Sequence, residues 1–243
     1  MNNRVRESAV QDSWTSIPIP SASSTMDAYL VVPAAPSRGD IVLLQEIFGV
    51  NEAMRDMARA FATEGYTVLA PDLFWRLEPR VDLGYGEDDR KRGFALMQKY
   101  DQADGADDIR IAAKWLRQHS SPKPVAMVGY CLGGRMAVLA GAENPDVSAI
   151  ISFYGVRLDL CADKLRSLPV PFQFHVGDSD AHVTAEHTAA VKNAVSGKPD
   201  AEVSVYPGAQ HGFCNRLRTD VFAKDAAALA GKRALTLLEK VMG

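Results

Sequence analysis

Cysteine is scarce in this chain, which carries only Cys131, Cys161 and Cys214. An odd number at such wide spacing fits neither a disulfide framework nor a Cys-x-x-Cys metal site, so free thiols in a reducing compartment are expected. Long apolar runs are missing too, and nothing approaches the roughly 20 residues that a membrane-spanning helix needs. Nor does one sign of charge dominate. The 27 basic and 30 acidic residues are well mixed and leave a net charge of −3, which gives no electrostatic footprint for a nucleic acid or an anionic membrane. The opening MNNRVRESAVQDSWTS has no continuous apolar stretch followed by a small-residue cleavage site, so no secretory leader is expected and the cytoplasm is the expected location. Internal repeats, low-complexity tracts and an interdomain linker are likewise absent. A small-molecule or protein partner is left, with the chain a monomer or a small homo-oligomer.

Of the 243 residues, 47% are hydrophobic, and a chain of this length buries roughly 70% of the surface its unfolded form exposes. One domain over residues 1–243 is therefore expected. Short apolar runs ending in polar or glycine-rich turns fall at 41–44, 67–70, 125–128, 149–153, 172–176 and 203–206 and read as strands. Between them Met54, Met57, Ala58 and Phe61, and again Ile109, Ala112, Ala113 and Leu116, recur at helical spacing. Such alternation predicts an α/β fold, a mostly parallel sheet with helices on both faces. Residues 14–32, broken by proline and polar residues, predict a β-hairpin at the sheet edge. Leu235 and Leu238 belong to a final amphipathic helix. Residues 75–98 begin charge-dense and without clear period, and predict an excursion over the sheet whose charges are mostly solvated.

In such sheets functional groups gather beyond the carboxyl ends of the strands. After the strand at 125–128 comes GYCLGG, with Cys131 flanked by Gly129 and Gly133. This is the pattern of a nucleophile elbow, a tight strand-to-helix turn that needs small neighbours, with cysteine where serine is usual. After 172–176 comes GDSD, and after 203–206 comes GAQHG. The order Cys131, Asp180, His211 is the nucleophile, acid, histidine order of α/β-hydrolases. The helix starting near Leu132 and an adjacent imidazole would favour a thiolate. His211 can carry a proton near neutral pH, and Asp180 would orient it. The backbone N–H groups of Leu132 and Ile47 would hold an oxyanion.

Other polar residues have plainer readings. Asp178 competes with Asp180 but suits a turn cap better. His175, inside PFQFHV, reads as a core histidine. His119, His182 and His187 lack metal-ligand spacing and read as structural or solvated. Cys161 and Cys214 read as small packing groups. Glu46 closes an apolar strand beside the oxyanion loop. Because Asn51 is the better cap for the helix that follows, Glu46 remains available to the site.

QEIFG, PDLFWR, GYCLGG, SFYGV, GDSD and AQHGF together resemble the dienelactone hydrolases (carboxymethylenebutenolidases), over nearly the whole chain from about Ala28. The resemblance implies an α/β-hydrolase fold and Cys131, His211 and Asp180 as a triad. It also implies that Glu46 holds the resting thiol and helps to deprotonate it when substrate arrives. The implied substrate is a small lactone or ester, with no metal or organic cofactor. The family's carboxylate-binding arginine falls on Arg90, with Lys91 and Arg92 beside it. Its tyrosine falls on Phe94, and a second arginine falls on Asn215 with Arg216 adjacent. Phe48 and Tyr154, from QEIFG and SFYGV, complete the candidate substrate contacts.

Overall fold

A computed structural model describes residues 10–120 and 124–243. Its eight strands form one sheet in the order β1-β2-β4-β3-β5-β6-β7-β8. The strands are β1 (Val10–Ile19), β2 (Ser24–Pro33), β3 (Asp40–Leu44), β4 (Thr67–Pro71), β5 (Val125–Tyr130), β6 (Val147–Phe153), β7 (Phe172–Gly177) and β8 (Ala201–Tyr206). β1 and β2 form the expected antiparallel hairpin at one edge, and β2 runs antiparallel to β4. All further pairings, from β4 across to β8, are parallel. Every residue of β3, β4, β5 and β7 is buried. Covered on both faces, such strands have no solvent side to place polar residues on, which is why they read as continuous apolar runs rather than alternating ones.

The helices are α1 (Glu52–Thr63), α2 (Glu87–Lys99), α3 (Gln102–His119), α4 (Leu132–Gly141), α5 (Ala162–Ser167), α6 (Ala185–Ala194) and α7 (Lys224–Met242). Asn51 caps α1, its Oδ1 accepting the Met54 N–H at 3.3 Å, and the helix buries Ala53, Met54, Ala58, Phe61 and Ala62 against the sheet. Full burial of a Met or Phe side chain is worth about 1.5–3 kcal/mol, so this stripe anchors the loop before α1. Leu238 of α7 is buried and Leu235 packs against the core, as their spacing implied. No helix among the described residues is long and apolar enough to cross a membrane.

The excursion differs from its sequence reading in one respect, since its second half is the regular helix α2. Only Gly93 and Leu96 of α2 are buried. A stripe that narrow leaves no periodic apolar signal, while the acidic first turn, Glu87 to Asp89, and Lys99 in the last turn suit the helix dipole. The entry to the excursion is pinned by the buried Asp108 of α3, which accepts hydrogen bonds from Trp75 Nε1 at 2.9 Å and from Arg76 Nε and Nη2 at 2.8 Å. Its middle is stitched to the loop after β3 by Leu83 N–H donating to Phe48 O at 3.0 Å and by the Gly49–Asp82 bridge.

Candidate active site

The five strands β3, β5, β6, β7 and β8 run the same way, so the residues just past their ends share one rim: Glu46, Cys131, Tyr154, Asp180 and His211. The β5 turn has the sharpest demands. Cys131 has φ 54° and ψ −115°, which for a non-glycine residue is strained. A Cβ on Gly129 would stand 2.1 Å from the Gly133 carbonyl oxygen, and one on Gly133 would stand 2.2 Å from Leu44 O and 2.7 Å from Gln45 O. Those atoms are backbone and cannot step aside, so the spacing of small residues in GYCLGG is a steric requirement. The turn is locked by Cys131 N–H to Phe153 O at 3.0 Å and Gly133 N–H to Gln45 O at 2.9 Å. Leu132 opens α4, and so its N–H has no acceptor one turn earlier in that helix.

Asp180 has its carboxylate fully covered and held on both oxygens. Oδ1 accepts the N–H groups of His182 at 2.7 Å and Val183 at 2.9 Å, while Oδ2 lies 2.8 Å from His211 Nδ1. Burial pushes its pKa up, but these bonds and the His211 charge outweigh that and hold it below the usual carboxylate range. An ionised carboxylate only accepts, so Nδ1 carries the proton and Nε2 is left for the sulfur. Burial likewise works against charge on His211. The neighbouring Cys131 sulfur, the hydrogen bonds to Asp180 and Cys131 and the charge of Asp180 prevail, raising it to about 10. Cys131 itself is 8% exposed. Tyr154, buried and at positive φ, sets its ring edge-on to His211 with centroids 4.9 Å apart.

Glu46 is 2% exposed. Burial raises its pKa, against the nearby charges of His211 and Arg218, the approach of Tyr154, and a hydrogen bond from Asn215 Nδ2 to Oε2 at 3.3 Å. The Tyr154 hydroxyl favours the ionised carboxylate by proximity while lacking a well-formed hydrogen bond of its own.

The candidate substrate contacts are placed unevenly. Phe48 is buried and sets its ring against Tyr85 at 4.7 Å. Phe94 is 40% exposed and faces His182. Arg90 donates from Nε to Tyr85 O at 3.0 Å and pairs with Asp220 at 3.8 Å, while Lys91 pairs with Glu87 and Arg92 with Glu78. Arg216 is exposed. Three residues that the sequence left aside join the site. His182, read as structural or solvated, lies edge-on to His211 with centroids 4.8 Å apart. Arg218 is 12% exposed, has a buried Nε without a partner among the described residues, and acts on the charges of Glu46 and His182. Tyr85 accepts Asn215 Nδ2 at 2.7 Å and Asn51 Nδ2 at 3.0 Å. None had a sequence signal beyond lying near a motif, because their positions depend on how the excursion and the loop after β8 fold back.

The remaining polar residues lie close to their plainer readings. Asp178 Oδ1 accepts Gly208 N–H at 2.7 Å and closes the turn. His175 is fully buried between Tyr206 Oη at 2.9 Å and Gln173 Oε1 at 3.2 Å, and burial lowers it to about 3. His119 stacks on Trp115, and His187 completes the capping box of α6 with Thr184. Cys161 is buried and Cys214 partly so. Among the described residues no group of three or more His, Cys, Asp or Glu side chains is arranged to hold a metal ion.

This arrangement of thiol, imidazole and carboxylate suits acyl transfer. The chain is 36% identical to a protein of Azospirillum brasilense named "Putative carboxymethylenebutenolidase", over 94% of this chain and all of that one. It is 33% identical to the carboxymethylenebutenolidase of Pseudomonas sp. strain P51, over 88% of this chain and 90% of that one. The crystal structure of a "Putative Dienelactone Hydrolase" from Klebsiella pneumoniae subsp. pneumoniae MGH 78578 superposes with a TM-score of 0.83 at 28% identity, covering 95% of this chain and 99% of that one. Its fold is thus the α/β-hydrolase fold of that protein, and the model of the dienelactone hydrolase family matches residues 26–242. The chain belongs to the dienelactone hydrolase family and is a hydrolase of ester or lactone bonds.

Proposed function

We propose that this enzyme opens a cyclic enol-lactone bearing a carboxylate, through a thioester on Cys131. The observation that carries the proposal is the chain of contacts from Asp180 through His211 to the sulfur. Sulfur attacks the lactone carbonyl carbon, its proton having passed to His211 Nε2. The tetrahedral oxyanion is held by the N–H groups of Leu132 and Ile47. Collapse breaks the ring C–O bond, and the departing enol oxygen takes the proton from His211. Water, deprotonated by the same nitrogen, then attacks the thioester, and the thiolate leaves. Glu46, buried at the same rim, is a second carboxylate placed to accept a proton when substrate arrives. Arg218, whose Nη2 pairs with Asp220 at 3.1 Å while its buried Nε has no partner among the described residues and whose charge reaches Glu46, is the proposed contact for the substrate carboxylate, ahead of the more exposed Arg90 and Arg216.

The test is turnover of enol-lactones and activated esters by Cys131→Ala and His211→Ala. Both are expected to lose activity by several orders of magnitude while remaining folded. Wild-type turnover in either would end the assignment. A broader esterase is the second reading, favoured by Asn215, whose amide is engaged with Glu46 and Tyr85 in place of the charge that the family pattern puts there. Preference for neutral over anionic substrates would select it.

A further inference from the structure

Glu46 sits at the end of a hydrogen-bonded chain that begins in the excursion. Asn215 Oδ1 accepts the Leu217 N–H at 3.0 Å, which fixes the orientation of its amide. Its Nδ2 must then face the other way, where one hydrogen goes to Glu46 Oε2 at 3.3 Å and one to Tyr85 Oη at 2.7 Å. Asn51 is fixed in the same manner. Its Oδ1 caps α1, so its Nδ2 donates to Leu83 O at 2.9 Å and to Tyr85 Oη at 3.0 Å. The Tyr85 hydroxyl thus receives two N–H groups, one from each side, while its ring leans on Phe48. Phe48 and Glu46 lie on the same short loop after β3.

We infer that Asn215 is a positioning residue that ties the Glu46 carboxylate to the Tyr85 hydroxyl, so that seating of the excursion sets where Glu46 points. The inference rests on the reading of Glu46 as a proton acceptor for Cys131. The physical reason for such a tether is the poverty of the surroundings. Glu46 is buried, and its one well-formed side-chain hydrogen bond among the described residues is long. A carboxylate in such a place is sensitive to a single donor. Asn215 has no charge with which to hold it, so its hold depends on the shorter bond at its far end. If Tyr85 withdraws when the excursion shifts, the amide loses its better partner and is free to turn from the carboxylate. The ionisable groups around Glu46 are His211, Arg218, Tyr154, Tyr85, Tyr130 and Cys214. Of these Tyr85 alone reaches it through a shared amide. Burial and the Glu46 charge raise Tyr85 to about 12, so it is a neutral hydroxyl across the working range.

The experiment is the pH profile of kcat/KM for an anionic lactone, with Asn215→Ala, Tyr85→Phe, the double variant, and each repeated in Glu46→Gln. Tyr85→Phe keeps the ring on Phe48 and removes only the shared oxygen. Both single variants are expected to move the acidic limb to higher pH, lowering kcat/KM there roughly threefold to tenfold, which corresponds to about half to one pKa unit. The double variant should lose no more than the worse single, and in Glu46→Gln neither change should matter further. Asn215→Asp keeps the Leu217 contact and the fold, which a melting curve checks, but puts a second carboxylate against Glu46. It should shift the limb furthest. Unchanged limbs in Asn215→Ala and Tyr85→Phe, or additive losses in the double variant, overturn the tether. A Glu46→Gln enzyme with the wild-type profile overturns instead the role given to Glu46.

Discussion

A Cβ built on Gly93 would stand 2.7 Å from the carbonyl oxygen of Ile47. The excursion helix α2 therefore rests its backbone on the loop that carries one proposed oxyanion donor. In an exposed helix, Gly→Ala gains about 1 kcal/mol. Here the opposing atom belongs to a main chain fixed between β3 and α1, and overpacking at such a site costs about 1–3 kcal/mol. Gly93→Ala is expected to lower the melting temperature and kcat together. A melting temperature above wild type would mean that α2 yields freely and that the contact does not locate Ile47.

The backbone strain at Cys131 separates stability from chemistry. Glycine reaches φ 54°, ψ −115° more easily than any residue with a Cβ, and strain of this kind costs about 1–3 kcal/mol. Cys131→Gly and Cys131→Ala should both be inactive, yet Cys131→Gly should be the more stable by about 1 kcal/mol in denaturant unfolding, after allowing for glycine's greater freedom when unfolded. Equal stabilities would show that the elbow stores no strain.

Asp180→Asn keeps the shape of the acid and removes its charge. In a Ser-His-Asp triad such a change lowers kcat by on the order of 10⁴, and a loss of that order is expected here if Asp180 orients His211 as proposed. It also bears on stability against pH. His211 is raised in the folded protein to about 10, so its favourable contribution is complete below the unfolded value near 6.5 and is lost as pH rises toward 10. Unfolding measured from pH 6 to 10 should show that decline in the wild type and a shallower one in Asp180→Asn, whose neutral amide supports the imidazolium less well. An identical slope would mean that Asp180 does not hold the charge on His211.

Arg218→Leu should raise KM for a carboxylate-bearing lactone and leave that of a neutral ester of similar size little changed. A charged hydrogen bond is worth about 1.5–3 kcal/mol, so the anionic substrate should lose roughly tenfold to a hundredfold in kcat/KM. Arg216→Leu serves as the comparison, because that side chain is exposed. Equal losses on both substrates would remove Arg218 from the carboxylate site.

Cys131, Asp180 and His211 were legible in the sequence because each follows a strand whose apolar run ends in a turn. Local steric need writes such turns plainly: Gly129 and Gly133 are small because backbone oxygens stand about 2 Å from where a Cβ would be. The parallel sheet could be read because strands buried on both faces are near-continuous apolar runs, and the edge hairpin because proline and polar residues break such a run. His182, Arg218 and Tyr85 were not legible. Each meets the site through a segment that folds back over the rim, and pairings such as Tyr85 with Asn215 join residues far apart in the chain. A polar side chain finds its partners by distance in space, which no spacing along the chain encodes. The sequence alone determined the strands, the elbow and the order along the chain of the proposed reacting groups. Only the tertiary structure decided which arginine lies against Glu46, which histidine leans on His211, and what holds Glu46.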